Sequence, residues 1–286
     1  MTHIKKKILC PACTSTLEMV FLYQKDGIPI VKCTSCGLGK ACAEYFNAEE
    51  YYDSSYFNGS RPDGYSDYLG AADVLKKQFQ SEIQLLEKLH AGDGELLEIG
   101  CAYGYFLEVA KRKYNVHGLE ICEEAVIDCN SRGLREVRQG AVSDETLRAF
   151  PMVDVLVLLD VIEHLPHPDK ALEEAVKKLL PGGKLLITTG DFSSLCSKIT
   201  GRNWRLMTPP QHLWYFTPAS IEALGKKLDL EVIHVDHPFK KVPLGLIFYQ
   251  IFRYIKINLP LPIWVHKVGL RVNLFDAMRI VLRKKI

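Results

Sequence analysis

The sequence predicts an α/β protein, a doubly wound sheet preceded by a small metal-bound module. Three observations carry this expectation. Four cysteines stand as two CxxC pairs, Cys10/Cys13 and Cys33/Cys36. From Glu95 onward, short β-rich runs alternate with helical patterns. The first of those runs ends in a glycine turn, within "LLEIGCAYGYFLEVAKRKYNVHGLEI" from Leu96 to Ile121. The chain has 286 residues, 48% hydrophobic and 24% charged, which is room for one ordinary domain and an accessory piece. A formal net charge of +2 gives no global reason to expect nucleic acid or membrane, so either partner must be argued from local charge.

Residues 1–44 form the N-terminal module. Between the cysteine pairs, "LEMVFLYQ" and "IPIVKC" read as strands joined at Lys25-Asp26-Gly27, a hairpin signal. Such a hairpin brings Cys10, Cys13, Cys33 and Cys36 into a tetrahedral thiolate cage, the geometry of a closed structural zinc site. So short a module buries little core, and a metal is the expected source of its stability. Cys42 falls outside the pattern and reads as a free thiol. Behind Lys5–Lys7 there is no apolar segment of a secretory signal, and no apolar run approaches the ~20 residues that span a bilayer. The expected compartment is the cytoplasm, where metal is favoured over disulfides.

Residues 45–93 read as a linker and helical lid. "EEYYDSSYFNGSRPDGYSDY" is rich in tyrosine and turn formers, and Leu75, Phe79, Ile83, Leu86 and Leu89 then form one helical stripe. Residues 94–286 are the expected core. The runs "ELLEIG", "YNVHGLEI", "REVRQGAV", "VDVLVLLDVI" and "GKLLITTG" are its strands, and each βαβ step implies parallel pairing. Pro181-Gly182-Gly183 is read as the stop of the helix "PDKALEEAVKKLL" and the opening of the fifth strand. Thr217 and Pro218 read as N-cap and first helical residue of the next helix. "AMRIVLRKK" is the last strand.

The glycine turn bears on the cofactor. A dinucleotide fingerprint, GxGxxG counted from Gly100, fails at Ala102 and Tyr105. The pattern present is Glu98-x-Gly100-x-Ala102-x-Gly104. S-adenosylmethionine (SAM) has no pyrophosphate to seek helix amides; it carries an ammonium and a cationic sulfur, which suit a carboxylate and backbone carbonyls. Glu98 is therefore expected to face the ammonium, with Cys101 and Tyr103 lining the turn through their backbone. Glu120 ends the second strand, with Ile121 beside it, and is expected to accept the ribose hydroxyls. Asp160 ends the fourth strand, where it either faces the methyl donor or caps the following segment.

These residues, together with "VDVLVLLDVIEHLPHPDKALEEAVKKLLPGGKLLITTGD" and "QHLWYFTPASIEALGKKLDLEVI", resemble the class I SAM-dependent methyltransferases. The likeness spans roughly residues 95–236 and the last strand, and is nearest to small-molecule enzymes such as the ubiquinone-pathway O-methyltransferases. It implies a Rossmann-like seven-stranded sheet of order 3-2-1-4-5-7-6 with the seventh strand antiparallel. It also implies methyl transfer to an oxygen or carbon of a small molecule, with a sugar among the acceptors such enzymes use; a lipid-linked metabolite is the expectation raised by the basic, apolar residues 238–273. Tyr51, Tyr52 and Tyr56 resemble the family's lid over SAM, and Ala102 stands where most members have glycine.

Two histidines are the catalytic candidates. His164, in "DVIEHLPHP", reads as a general base, a metal ligand with Glu163, or a packed histidine fixing the loop. His212, beside Trp214-Tyr215-Phe216, reads as the first candidate for general base, or as part of an aromatic cluster at the sheet edge. The loop after strand four lacks the (Asp/Asn)-Pro-Pro-aromatic pattern of enzymes that modify a flipped base. An RNA-modifying or nucleic-acid-binding protein using the ribbon as its binding module is the alternative class, and its lysine excess over residues 1–45 is modest.

Residues 238–273 form an insertion between the sixth and seventh strands. They carry Lys240, Lys241, Arg253, Lys256, Lys267 and Arg271, with no acidic residue. With Leu246, Phe248, Tyr249, Phe252, Ile255 and Trp264 they read as an interfacial segment touching the inner membrane face, or as a cap or dimer contact.

Overall fold

The computed structural model describes residues 9–13, 19–43, 46–52, 54–57, 67–245, 247–248 and 261–286. The predicted ribbon hairpin forms from β1 (Val20–Lys25) and β2 (Ile28–Lys32). Its turn residues Asp26 and Gly27 both have positive φ, as a tight hairpin turn requires. Next, β3 (Gly39–Ala41) pairs with β2, and the short helices α1 (Ala48–Tyr51) and α2 (Ser54–Phe57) lead to α3 (Ala72–Lys88).

The alternating part then runs in order: β4 (Glu95–Ile99), α4 (Tyr105–Ala110), β5 (Asn115–Glu120), α5 (Glu123–Ser131), β6 (Val137–Gln139), α6 (Asp144–Leu147) and β7 (Val153–Leu159). It continues through α7 (Pro168–Lys177), β8 (Leu179–Gly190), α8 (Leu195–Thr200), β9 (Trp214–Tyr215), α9 (Pro218–Lys227) and β10 (Leu230–Asp236). A hairpin of β11 (Lys240–Pro243) and β12 (Gly269–Val272) precedes the last strand, β13 (Ala277–Lys284).

Seven strands form one sheet in the order β6-β5-β4-β7-β8-β13-β10, with β13 antiparallel to both neighbours. This is the expected 3-2-1-4-5-7-6 arrangement. Its central strands are covered on both faces, which is why they read as nearly unbroken apolar runs. Leu96, Val155, Leu186 and Val281 pack with Leu86 of α3 and Phe106 of α4 on one side. Their chain neighbours Leu97, Leu156, Leu185 and Ile280 pack with Leu172 of α7 and Ile221 of α9 on the other. The α9 start follows expectation, with Thr217 and Ser220 closing a capping box and Pro218 in the first turn.

Two boundaries differ from the sequence reading. The helix expected to run to Leu180 ends at Lys177, and Pro181-Gly182-Gly183 lies inside β8. Fully buried Leu179 pairs with Val153, so sheet pairing and burial outweigh helix continuation, and Gly182, at positive φ, absorbs the bulge. The ribbon, read as a module of its own, shares a four-stranded sheet, β1-β2-β3-β9, whose last strand comes from the loop after β8. Gly39 makes this possible, because a Cβ there would lie 2.7 Å from the Phe192 ring. In the insertion, Leu246, Tyr249, Phe252, Arg253, Ile255 and Lys256 lie outside the described residues, as do Lys5–Lys7.

Candidate active site

The turn after β4 runs through three left-handed residues, Gly100, Ala102 and Gly104. A Cβ on Gly100 would sit 2.6 Å from Val161, so no side chain fits there. Ala102 accepts the strained conformation with φ 44°, and the Glu120 carboxylate holds it: Oε2 accepts the Ala102 amide at 2.7 Å. Oε1 accepts the amides of Ile121 and Cys122 at 2.9 and 3.0 Å. Burial pushes the Glu120 carboxyl up and the three amides pull it back, so the group is desolvated but anchored.

This turn borders a cavity of about 1060 Å³ at the carboxyl ends of the strands, the place where open α/β sheets hold ligands. Gly100, Ala102, Glu120, Ile121 and Asp160 line it, as do His164 and His212. Cys101, Tyr103 and Gly104 do not; they support the turn from behind. Glu98 is also buried beneath the turn and off the cavity wall, with its Oε2 lacking a partner among the described residues. Burial drives its carboxyl well up. The roof consists of Tyr52, Tyr56, Phe57 and Tyr68, helix α3, and the β11–β12 hairpin.

At the far end of the cavity, the loop after β7 meets the loop after β8. His164 Nδ1 lies 2.8 Å from the Gln211 carbonyl, and His212 Nδ1 lies 2.8 Å from the Leu206 carbonyl. A carbonyl only accepts, so both Nδ1 atoms carry protons and both Nε2 atoms are left as acceptors. The Tyr52 hydroxyl sits 2.6 Å from His164 Nδ1, and the two imidazole rings are 4.7 Å apart, edge to face. Burial and then the neighbouring His164 drive His212 down to about 3, and burial lowers His164 as well. Buried Glu163 completes the group; burial and the charge of Asp160 push its carboxyl up to about 8. Donor atoms of Glu163, His164 and His212 lie within 4.8 Å of one another. Two neutral imidazoles and a carboxyl in this arrangement can pass a proton or ligate a divalent cation.

The ribbon reaches this end of the site. β3 pairs with β9, the Ala41 amide donates to the Leu213 carbonyl at 2.9 Å, and the Thr217 hydroxyl donates to the Cys36 carbonyl at 2.8 Å. Cys10 and Cys36 sulfurs are 3.5 Å apart and those of Cys13 and Cys33 are 3.6 Å apart, and the four gather as one cluster. Zn–S bonds of about 2.3 Å in a tetrahedron need spacings of this size, so the residues fit zinc. Lys32 and Lys40 lie over the rings of Phe192 and Trp214, which turns two of the ribbon's cations onto the protein itself.

Reading the sequence missed Lys240, whose ammonium reaches the Asp160 carboxylate at 2.7 and 3.0 Å, and Gln211, whose side chain donates to the Tyr56 hydroxyl at 2.7 Å. The signal for Lys240 was present in the acid-free run of the insertion, but its destination was not.

A parallel sheet with one antiparallel strand next to its edge, a left-handed glycine turn after the first strand and a carboxylate ending the second define the class I SAM-dependent methyltransferase architecture. The profile of the family described as "Methyltransferase domain" matches residues 73–235, and the chain belongs to that family. A ubiquinone biosynthesis O-methyltransferase of Idiomarina loihiensis is 30% identical over 101 residues, covering 33% of this chain and 42% of that one. Its counterpart from Aeromonas salmonicida is 26% identical over 149 residues, covering 48% and 63%. The chain thus spans about half the length of the curated relatives it matches. Magnesium protoporphyrin IX methyltransferase from Synechocystis PCC 6803, solved with bound SAH, superposes with a TM-score of 0.53 at 12% identity, over 83% of this chain and 98% of that one. A SAM-dependent methyltransferase from Archaeoglobus fulgidus gives a TM-score of 0.51 at 20% identity, over 74% and 94%. These two show the shared fold.

Proposed function

We propose that this protein transfers a methyl group from SAM to an oxygen or carbon of a small acceptor enclosed under the tyrosine lid. The observation that carries this reading is the Glu120 carboxylate, which fixes the left-handed turn at Ala102 while facing the same cavity as the histidine pair. Glu120 would hold the ribose, and the turn from Gly100 to Ala102 would take the methionine end. Glu98 Oε2, without a partner among the described residues, lies beneath that turn and off the cavity wall. SAM supplies a methyl group already activated on a cationic sulfur. What remains for the chain is alignment, exclusion of water and removal of the acceptor's proton. The named relatives, which methylate oxygen in ubiquinone biosynthesis, favour a hydroxyl acceptor, and a sugar or lipid-linked metabolite is the kind of molecule we envisage.

Glu120→Ala is expected to weaken SAM by ~1–3 kcal/mol in calorimetry, the scale of losing a hydrogen bond to a charged group, and NAD should give no binding heat. Tight NAD binding without SAM binding would sink the reading. Transfer of label from SAM to fractionated cell extract would identify the acceptor class.

The proton would leave through His212 or His164. A second reading rests on the same geometry: donor atoms of Glu163, His164 and His212 gather closely enough to hold a divalent cation, which would bind and polarise an acceptor oxygen. The four ribbon cysteines would hold zinc in either case.

The insertion supports a peripheral membrane contact for a cytoplasmic enzyme. Within it Trp264 is 62% exposed, Lys267 and Arg271 supply positive charge, and Val272 lines the cavity. Part of the insertion also acts as a cap, because Val265 is buried and β11 docks on α3. No helix among the described residues is long and apolar enough to cross a membrane. The protein is expected to sediment with anionic liposomes at low salt and to leave them at moderate salt, while neutral liposomes leave it in the supernatant. Recovery in the supernatant with both kinds would assign the whole insertion to capping or self-association.

A further inference from the structure

The carboxylates on the cavity wall are almost all committed. Glu120 is held by three amides, Glu82 is paired with Arg279, Asp276 with Arg205, and Glu163 is pushed toward its neutral form. Asp160 is the remaining one, and Lys240 occupies it from both oxygens. Asp160 sits in the left-handed region at the end of β7, with φ 55°, and its Oδ1 also accepts the Thr188 hydroxyl at 3.1 Å. A strained residue held by this many partners is the kind of position that function maintains.

Lys240 is aimed at Asp160 by its hairpin. The Lys241 amide donates to Gln78 Oε1 at 2.6 Å, and the Asn273 side chain donates to the His237 carbonyl at 2.9 Å. Gly269 of β12 lies so close to α3 that a Cβ would stand 2.7 Å from Val74. An inserted hairpin therefore delivers an ammonium to the wall between Glu120 and the histidine pair.

A ribose held at Glu120 puts the sulfur, one carbon away from the sugar ring, in this same stretch of cavity. We propose that Lys240 sets the enzyme's discrimination between SAM and its product S-adenosylhomocysteine, by opposing the cationic sulfur of the donor at Asp160 while leaving the neutral sulfur of the product unopposed. The inference rests on the SAM reading above. Its physical content is a like-charge conflict at one point of the cavity wall, where one carboxylate cannot fully serve two cations; the pair is part-exposed, so solvent screens the conflict without removing it. The conflict weakens the bound donor more than the transition state, in which the positive charge is already spreading away from sulfur. The acceptor oxygen gives its proton to the histidine end, forms the new bond to the methyl carbon, and the electrons of the broken C–S bond stay on sulfur.

The test needs no acceptor. Dissociation constants for SAM and S-adenosylhomocysteine would be measured by calorimetry on the full chain, for wild type and for Lys240→Met, Lys240→Gln and Lys240→Arg. The methionine and glutamine variants are expected to tighten SAM by about tenfold relative to S-adenosylhomocysteine, and the arginine variant to keep the wild-type ratio. Equal changes for both ligands, or an arginine variant that behaves like methionine, would overturn the proposal. Thermal melting identifies any variant that fails to fold, and the remaining neutral variant then decides. Wild-type protein that binds neither ligand would instead remove the SAM reading itself.

Discussion

His212→Ala is expected to lower the rate of methyl transfer by roughly 10²–10⁴, with SAM affinity nearly unchanged. The imidazole lies at the histidine end of the cavity, away from Glu120, and its Nδ1–H is fixed on the Leu206 carbonyl, so Nε2 is the acceptor. An imidazole held at about 3 is a weak base by itself. What strengthens it is a neighbouring negative charge, and Glu163 acquires one only above about 8. As pH rises through that value Glu163 loses its proton and stabilises the imidazolium that forms, so kcat/KM should climb through a break near 8. No break is expected near the ordinary histidine value of about 6.5. Burial of neutral histidines also acts on folding. The unfolded chain binds their protons below about 6.5 and the folded one resists, so stability should fall as pH drops below that value. If a divalent cation occupies the triad, His212→Ala should remove one metal per chain in elemental analysis and leave the zinc in place. An alanine variant that works at full speed, with unchanged metal content, would deny both roles.

Cys33→Ser is expected to release the one zinc per chain and to cut the transfer rate by about 10²-fold or more, a loss on the scale of misplacing a catalytic group by an ångström. The effect reaches beyond the ribbon because of where the ribbon is seated. Val31, Leu38 and the cysteines share one apolar cluster with Leu213, Trp214 and Phe216, and β9 is bonded to β3. Loss of the metal should therefore loosen the loop that carries Gln211 and His212, while the seven-stranded sheet and its Glu120 end persist. The check is a pair of measurements on one sample: zinc content with transfer rate, and S-adenosylhomocysteine affinity, expected to stay within about threefold of wild type. Purified protein without zinc would refute the metal assignment. A zinc-free variant that retains full activity would refute the coupling.

The two ends of the site differed in how readable they were. Glu98, Gly100, Ala102, Gly104 and Glu120 stand in one βαβ unit, where the turn, the helix start and the second strand are all local consequences of neighbouring residues. Cys10, Cys13, Cys33 and Cys36 were legible for the same reason, since two tight turns and one hairpin suffice to gather them. The βαβ steps implied a parallel, doubly wound sheet, and the strand order came from the family likeness.

The acceptor end has no such local code. His164 and His212 are brought together by two different strand ends and held by carbonyls of a loop without regular structure. Lys240 meets Asp160 across 80 positions, through a hairpin whose place is set by packing on α3. β9 has two residues, too few for any alternation to register, and becomes a strand because the ribbon offers it an edge. Spacing along the chain specifies turns, caps and strands, whose contacts lie within a few residues. The pairing of distant loops depends on which faces and edges remain unfilled once those elements pack. That is why the motif marked the left-handed turn and the Glu120 strand end, whereas the burial of Glu98 behind that turn, the Glu163–His164–His212 triad, the Asp160–Lys240 pair and the ribbon's seat on the loop after β8 emerged only with the folded chain.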